Sequence, residues 1–253
     1  MVKGLATFKA HFAGFEDRYV LIGGTAASLT MEAANLEFRA TKDFDVVLVV
    51  EALDGEFAQV LWRFVKSGGY AIRQSSSGRP CFYRFQNPAD NSYPHMVELF
   101  ARRIEGLQLG EDAHLTPLPI DEEVPSLSAI LLDDDYYRFV LEGRRQVDGL
   151  AWIGEDRLIP LKASAYVELG DRLAAGEDID RKNVRKHLND VFRLSQVLTA
   201  EQRIALPGNV AHQFAEFLER AAQEAVDLKS LDIRAPSTGH VMDRLRHIFQ
   251  PAH

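Results

Sequence analysis

Two aspartates stand two residues apart at the head of a run that otherwise reads as buried core, Asp43-Phe44-Asp45-Val46-Val47-Leu48. In a strand, residues i and i+2 point to the same side, so Asp43 and Asp45 share a face while Phe44 and Val46 take the other. Adjacent carboxylates repel, and partial burial raises that cost unless a cation or a proton intervenes. Mg²⁺ resolves the conflict, because it prefers oxygen ligands and is held by a few carboxylates plus substrate phosphates; Mn²⁺ shares that preference. A third carboxylate is available in Met96-Val97-Glu98-Leu99-Phe100, where Glu98 is the only charge in an apolar run. If that strand lies beside residues 44–50, Glu98 faces the aspartate pair. Three carboxylates round one or two Mg²⁺ ions activate an attacking hydroxyl and clamp a nucleoside triphosphate.

Gly23-Gly24 follows the apolar run Tyr19-Val20-Leu21-Ile22 and precedes a stretch of helix formers. A glycine turn there lets backbone N–H groups approach phosphate oxygens, the helix N-terminus adds positive potential, and Thr25 offers a hydroxyl. Singly, each feature has an ordinary explanation: a turn, a solvated strand end, a charge on a strand edge. Their combination points to metal-dependent phosphoryl chemistry.

The elements that must position these residues follow from periodicity. Leu5, Phe8, Phe12 and Phe15 recur at helical spacing, predicting an amphipathic helix over 4–16. A buried strand at 19–22 and a helix over 26–34 follow, with Thr25 as N-cap. The β-branched density of 44–50 demands a strand. Residues 54–67 read as a helix stopped by Gly68-Gly69, and 70–73, 81–85 and 96–100 as strands separated by turn-rich segments. LAWIGEDRLI, 150–159, reads as a hairpin around Gly154-Glu155-Asp156, and helices are expected over 160–174, 180–197, 207–228 and 237–249. Pro160 suits the first turn of its helix. The expected class is α+β: a mixed sheet domain flanked by helices over 1–125, then a hairpin and helical domain over 126–253.

The totals set bounds. The chain has 253 residues, enough for one large domain or two modest ones. No apolar run approaches the roughly 20 residues that span a bilayer, the opening residues lack a signal-peptide core, and a single cysteine, Cys81, fits a reducing compartment. A cytoplasmic protein with no membrane partner is expected. The net charge of −8 argues against indiscriminate nucleic-acid binding but permits a local basic groove.

The order apolar-Gly-Gly, helix, Arg-x-Thr-x-Asp-x-Asp-apolar, then apolar-Glu-apolar resembles the polymerase-β-like nucleotidyltransferase superfamily. Within it, LIGGTAASLTM and FRATKDFDVVL are similar to the AbiEii-type nucleotidyltransferases, the toxin halves of type IV toxin–antitoxin systems; Arg39, Thr41, Asp43 and Asp45 match the family's Arg-x-Ser/Thr-x-Asp-x-Asp. IPLKASAYVELGDR, 159–172, resembles the family's Lys-bearing helix. RKNVRKHLNDVFRL resembles its Lys-Asp-x-x-Asp-Leu segment, Lys186 matching the Lys and Asp190 the second Asp, with His187 in place of Asp and Val191 in place of Leu. The matched regions are residues 20–50, 95–101 and 159–195.

The resemblance implies a nucleotidyltransferase fold and Mg²⁺-dependent transfer of a nucleoside monophosphate from an NTP. It implies that Asp43, Asp45 and Glu98 hold metal, and that Gly23, Gly24, Thr25, Arg39 and Thr41 serve the nucleotide. Lys162 would neutralise triphosphate charge, and Asp190 would orient Lys162 or the acceptor. Family members are thought to modify tRNA acceptor ends, which suits the cluster Arg181, Lys182, Arg185, Lys186 and His187 as a phosphate-contacting surface. Arg63, Lys66, Arg73, Arg79, Arg84, Arg102 and Arg103 add basic groups in the sheet half. A cognate antitoxin is then a further partner. Fold resemblance does not fix substrate, so transfer to a small molecule or protein, and a non-catalytic nucleotide-binding module, stand as alternatives.

Overall fold

The computed structural model describes residues 2–74, 80–102, 115–117 and 128–252. Its chain divides into two compact units, one of Met1–Leu29 with Arg39–Ile153, the other of Thr30–Phe38 with Gly154–His253. The α+β class expected from the sequence is the class observed. The boundary expected near residue 125 lies outside the described residues, as do Arg79 and Arg103.

The first unit is built on a mixed sheet of nine strands among the described residues, ordered β3-β4-β5-β2-β1-β9-β8, with β7 joining β5 and β6 joining β7. Its elements are α1 (Leu5–His11), β1 (Tyr19–Ile22), the first part of α2 (Gly23–Ala33) as far as Leu29, β2 (Asp43–Leu48), α3 (Gly55–Gly68), β3 (Ala71–Gln74), β4 (Pro80–Gln86), β5 (Met96–Arg102), β6 (Leu115–Pro117), β7 (Ser128–Leu132), α4 (Asp134–Glu142), β8 (Arg144–Val147) and β9 (Leu150–Ile153). All four residues of β1 are buried, as a strand covered on both faces must be.

Beneath β2 lies an aromatic cluster. Phe44 meets Phe8 at 5.2 Å between ring centroids, and Phe8 in turn meets Phe12 at 4.4 Å and Tyr19 at 5.2 Å. Burying Phe44 contributes about 2 kcal/mol, and it fixes which face of β2 carries the aspartates, because a one-residue slip would exchange the faces. Asp54 caps α3 by accepting from the Phe57 N–H at 2.9 Å, and Gly69 ends it in the left-handed conformation at φ 62°.

The hairpin lies six residues earlier than the sequence suggests. It joins β8 to β9 through Asp148 and Gly149, both left-handed at φ 51° and 66°, the two-residue turn that matches strand twist. Gly154 then becomes the N-cap of α5 rather than a hairpin tip.

The second unit holds α5 (Glu155–Ala174), α6 (Arg181–Leu194), β10 (Ile204–Leu206), α7 (Gly208–Ala221), α8 (Thr238–Ile248) and β11 (Phe249–Pro251). Pro160 sits inside α5, not in its first turn; the helix begins five residues before it. Its ring is buried, like Leu158, Ile159 and Ala163 beside it, so packing of that face offsets the missing N–H. Val191, Phe192, Phe214 and Phe217 complete the interior of this unit.

Candidate functional site

The carboxylate face is assembled by strand register. β2 and β5 pair in parallel, with Asp45 directly opposite Glu98; β5 and β4 pair antiparallel, with Glu98 directly opposite Arg84. Residues opposite one another in a ladder share a face, so Asp45, Glu98 and Arg84 form one row across three neighbouring strands. Asp43 lies one pleat away on the same face of β2, while Phe44 between them is fully buried on the other. The neighbour relation on which the role of Glu98 depended is present.

The glycine pair packs against this row. Gly23 has φ 63°, and a Cβ on it would lie 1.8 Å from Oδ2 of Asp45. Both facts demand glycine independently: the left-handed backbone and the approach of the carboxylate. A Cβ on Gly24 would lie 2.6 Å from Oγ1 of Thr41 and 3.8 Å from an Arg39 guanidinium nitrogen. The start of α2, with its N–H groups and positive end, therefore sits against Asp45, Thr41 and Arg39, the residues of the sequence motif.

Thr25 is placed differently from its expected N-cap position. It lies inside α2, fully buried, and its hydroxyl donates to the Asp43 carbonyl at 3.0 Å. That bond ties the head of the helix to the head of β2 and commits the Thr25 proton to the backbone.

The fit to a divalent ion is testable from the side chains. Oδ1 of Asp43 is buried and lacks a hydrogen-bond partner among the described residues, an arrangement that costs free energy unless a cation or a water supplies the contact. Glu98, in contrast, is already paired: both Nε and Nη2 of Arg84 donate to its Oε1. No group of three His, Cys, Asp or Glu side chains converges as a metal cluster among the described residues. Asp43 and Asp45 fit a hard ion that takes few protein ligands; Arg84 competes with such an ion for Glu98. The sequence showed Arg84 as one basic group among several. Its partnership depends on how the segment between β4 and β5 returns the chain, which spacing along the sequence does not show.

In the second unit, Lys162 and Asp190 come together. Nζ of Lys162 lies 2.9 Å from Oδ2 of Asp190, and the side chains are 6% and 0% exposed. Arg193 approaches the other oxygen at 3.8 Å. α5 supplies the lysine and α6 the aspartate. On α6, Arg181 and Lys182 are exposed, whereas Arg185 is engaged by Glu224 at 2.7 Å and by the Ala225 carbonyl. Arg102 is likewise held by Glu51, at 2.7 Å from Nε. No helix among the described residues is long and apolar enough to cross a membrane.

No family model and no curated protein matches the chain. Among solved structures it is similar to an antigenic nucleotidyltransferase-like protein from Paracoccidioides brasiliensis, at 15% identity and a TM-score of 0.45, with 94% of this chain and 97% of that chain covered. A likeness of that degree decides neither family nor activity.

Proposed function

We propose that this chain is a nucleotidyltransferase that moves a nucleoside monophosphate from an NTP to an acceptor, and that the acceptor is RNA, tRNA first among candidates. The observation that carries the reading is the contact of Gly23 with the Asp45 carboxylate. It sets a glycine-led helix start against a two-aspartate strand, so phosphate-binding N–H groups and metal-binding oxygens belong to one surface. The register of Glu98 beside Asp45 supports it.

In this mechanism Asp43 and Asp45 would hold Mg²⁺ or Mn²⁺, which would supply charge neutralisation at the transferring phosphorus. The N–H groups at Gly23 and Gly24 receive phosphate oxygens, and Thr41 and Arg39 line that entrance. Glu98 accepts the proton of the attacking hydroxyl as the α–β phosphoanhydride bond breaks and pyrophosphate leaves, or would be a third ligand to the ion. The motif resemblance, rather than any contact, assigns Lys162 with Asp190 to the triphosphate charge, and exposed Arg181 and Lys182 are suited to acceptor phosphates. The motif resemblance adds the narrower proposal that the protein is an AbiEii-type cytoplasmic toxin restrained by a cognate antitoxin.

The test is purified protein with Mg²⁺, each α-labelled NTP in turn and total bacterial tRNA, with Asp45→Ala as control. Label on RNA that vanishes in the variant is the expected result. Label on a small metabolite or protein keeps the transfer and replaces the acceptor. No label on any fraction of a cell extract, with the triphosphate still bound, leaves a nucleotide-binding module instead.

A further inference from the structure

Arg84 is a cation of the carboxylate face, paired with Glu98. Its guanidinium lies in register with Glu98 and donates two N–H groups to a single oxygen of it. The Glu98 side chain is 12% exposed and that of Arg84 27%. The arginine is the more exposed of the two partners. Asp45 flanks Glu98 on the other side, at about 5 Å in the strand-to-strand direction, and the unsatisfied Asp43 oxygen lies on the same face.

Charge decides what happens when ligands arrive. A divalent ion seated on Asp43 and Asp45 is drawn to the third carboxylate and repels a guanidinium one strand further on, and both forces are strong in a partly buried setting. The triphosphate that accompanies the ion carries the opposite charge and presents pairs of oxygens, which the planar guanidinium recognises in bidentate fashion. We propose that Arg84 exchanges partners: it holds Glu98 in the free protein, cedes it to the metal, and takes up the triphosphate of the incoming nucleotide. This rests on the nucleotidyltransferase reading of the face and extends it by a nucleotide-binding residue on β4, outside every motif that the sequence displays. No bond is made or broken in the exchange. It links metal and nucleotide binding, because each ligand removes the ion pair that opposes the other.

The exchange has a signature of opposite signs. Removing the guanidinium helps the metal alone and harms the metal–triphosphate complex. The experiment uses the full chain as wild type, Arg84→Gln, Arg84→Lys and Asp45→Asn. Mn²⁺ binding is followed by the loss of its free-ion paramagnetic resonance signal, and Mg²⁺–tripolyphosphate binding by calorimetry, which makes the assay independent of the base. Urea unfolding identifies variants that fail to fold. Arg84→Gln is expected to bind Mn²⁺ about tenfold tighter and Mg²⁺–tripolyphosphate about tenfold weaker, a discounted share of one unit charge at short range. Arg84→Lys is expected to restore most of the triphosphate affinity.

If both affinities stay unchanged in Arg84→Gln, or both fall together, the exchange is wrong and the ion pair merely supports the sheet. In that case Mn²⁺ still binds wild type and is lost in Asp45→Asn, so the metal reading survives. If Mn²⁺ binds neither wild type nor Arg84→Gln, the metal reading falls and the exchange with it.

Discussion

Gly23 and Asp45 touch so closely that any side chain at position 23 would occupy the place of the aspartate's carboxylate, its Cβ 1.8 Å from Oδ2. The contact joins the two halves of the sequence motif, and it is sensitive to a single methyl group.

Gly23→Ala is expected to lower stability by about 2–3 kcal/mol, part from a left-handed backbone and part from expulsion of the carboxylate. In an Asp45→Ala background the same change should cost only the backbone share, roughly 1–2 kcal/mol. Urea unfolding of the four proteins of this cycle measures the coupling. A coupling of zero would mean that the two residues do not meet.

The aspartate pair predicts a stability change that reverses with metal. In EDTA, Asp43→Asn and Asp45→Asn should each raise the melting temperature by roughly 1–2 °C, because a like-charge repulsion is relieved. With Mg²⁺ at a hundredfold over its Kd, wild type should gain about 2.7 kcal/mol, and the variants little. Scanning calorimetry in both buffers reads the crossover. Equal gains in all three proteins would place the ion elsewhere.

Lys162 and Asp190 are buried partners, so either alone is a liability. Lys162→Met should cost about 3–5 kcal/mol by leaving the Asp190 carboxylate buried without its lysine, whereas Lys162→Met with Asp190→Leu should recover most of it. If the recovered double variant also transfers nucleotide at the wild-type rate, the pair is architectural. Lost transfer in a stable double variant is the expected outcome.

Asp54 gives a pH-dependent term. The Phe57 backbone N–H first, and Arg18 second, hold its carboxyl below the usual range. A depressed carboxylate stabilises the folded chain above its unfolded-state pKa, and that contribution is lost as pH falls through the folded value. Asp54→Asn keeps a capping oxygen but cannot titrate. Wild type should therefore exceed the variant in stability at pH 6, with the difference shrinking below about pH 4. Urea midpoints taken across that range test it, and a difference that is flat with pH would contradict the assignment.

How much of this was legible depends on the range of the interactions. The alternation at Asp43-Phe44-Asp45 was readable because β-strand geometry is local: the face of each residue follows from its neighbour. The end of α3 at Gly68-Gly69 was readable for a similar reason, since a left-handed cap is a property of one residue. The hairpin was misplaced because two candidate turns compete nearby, Asp148-Gly149 and Gly154-Glu155, and a turn's identity depends on which strands it must join. Pro160 was set at a helix start by its intrinsic preference, but the buried face of α5 carries the helix through it.

The sequence by itself determined that two carboxylates share one face, that a glycine pair leads a helix, and that a lone glutamate sits in an apolar strand. Each is dictated by backbone periodicity and side-chain chemistry within a few residues. Only the tertiary structure decided that Gly23 meets Asp45, that Glu98 lies beside Asp45, that Arg84 holds Glu98, and that Lys162 finds Asp190. Those pairings depend on strand order, register and helix packing. They are set by burial summed over whole elements, such as Phe44 against Phe8, rather than by any property of the paired residues.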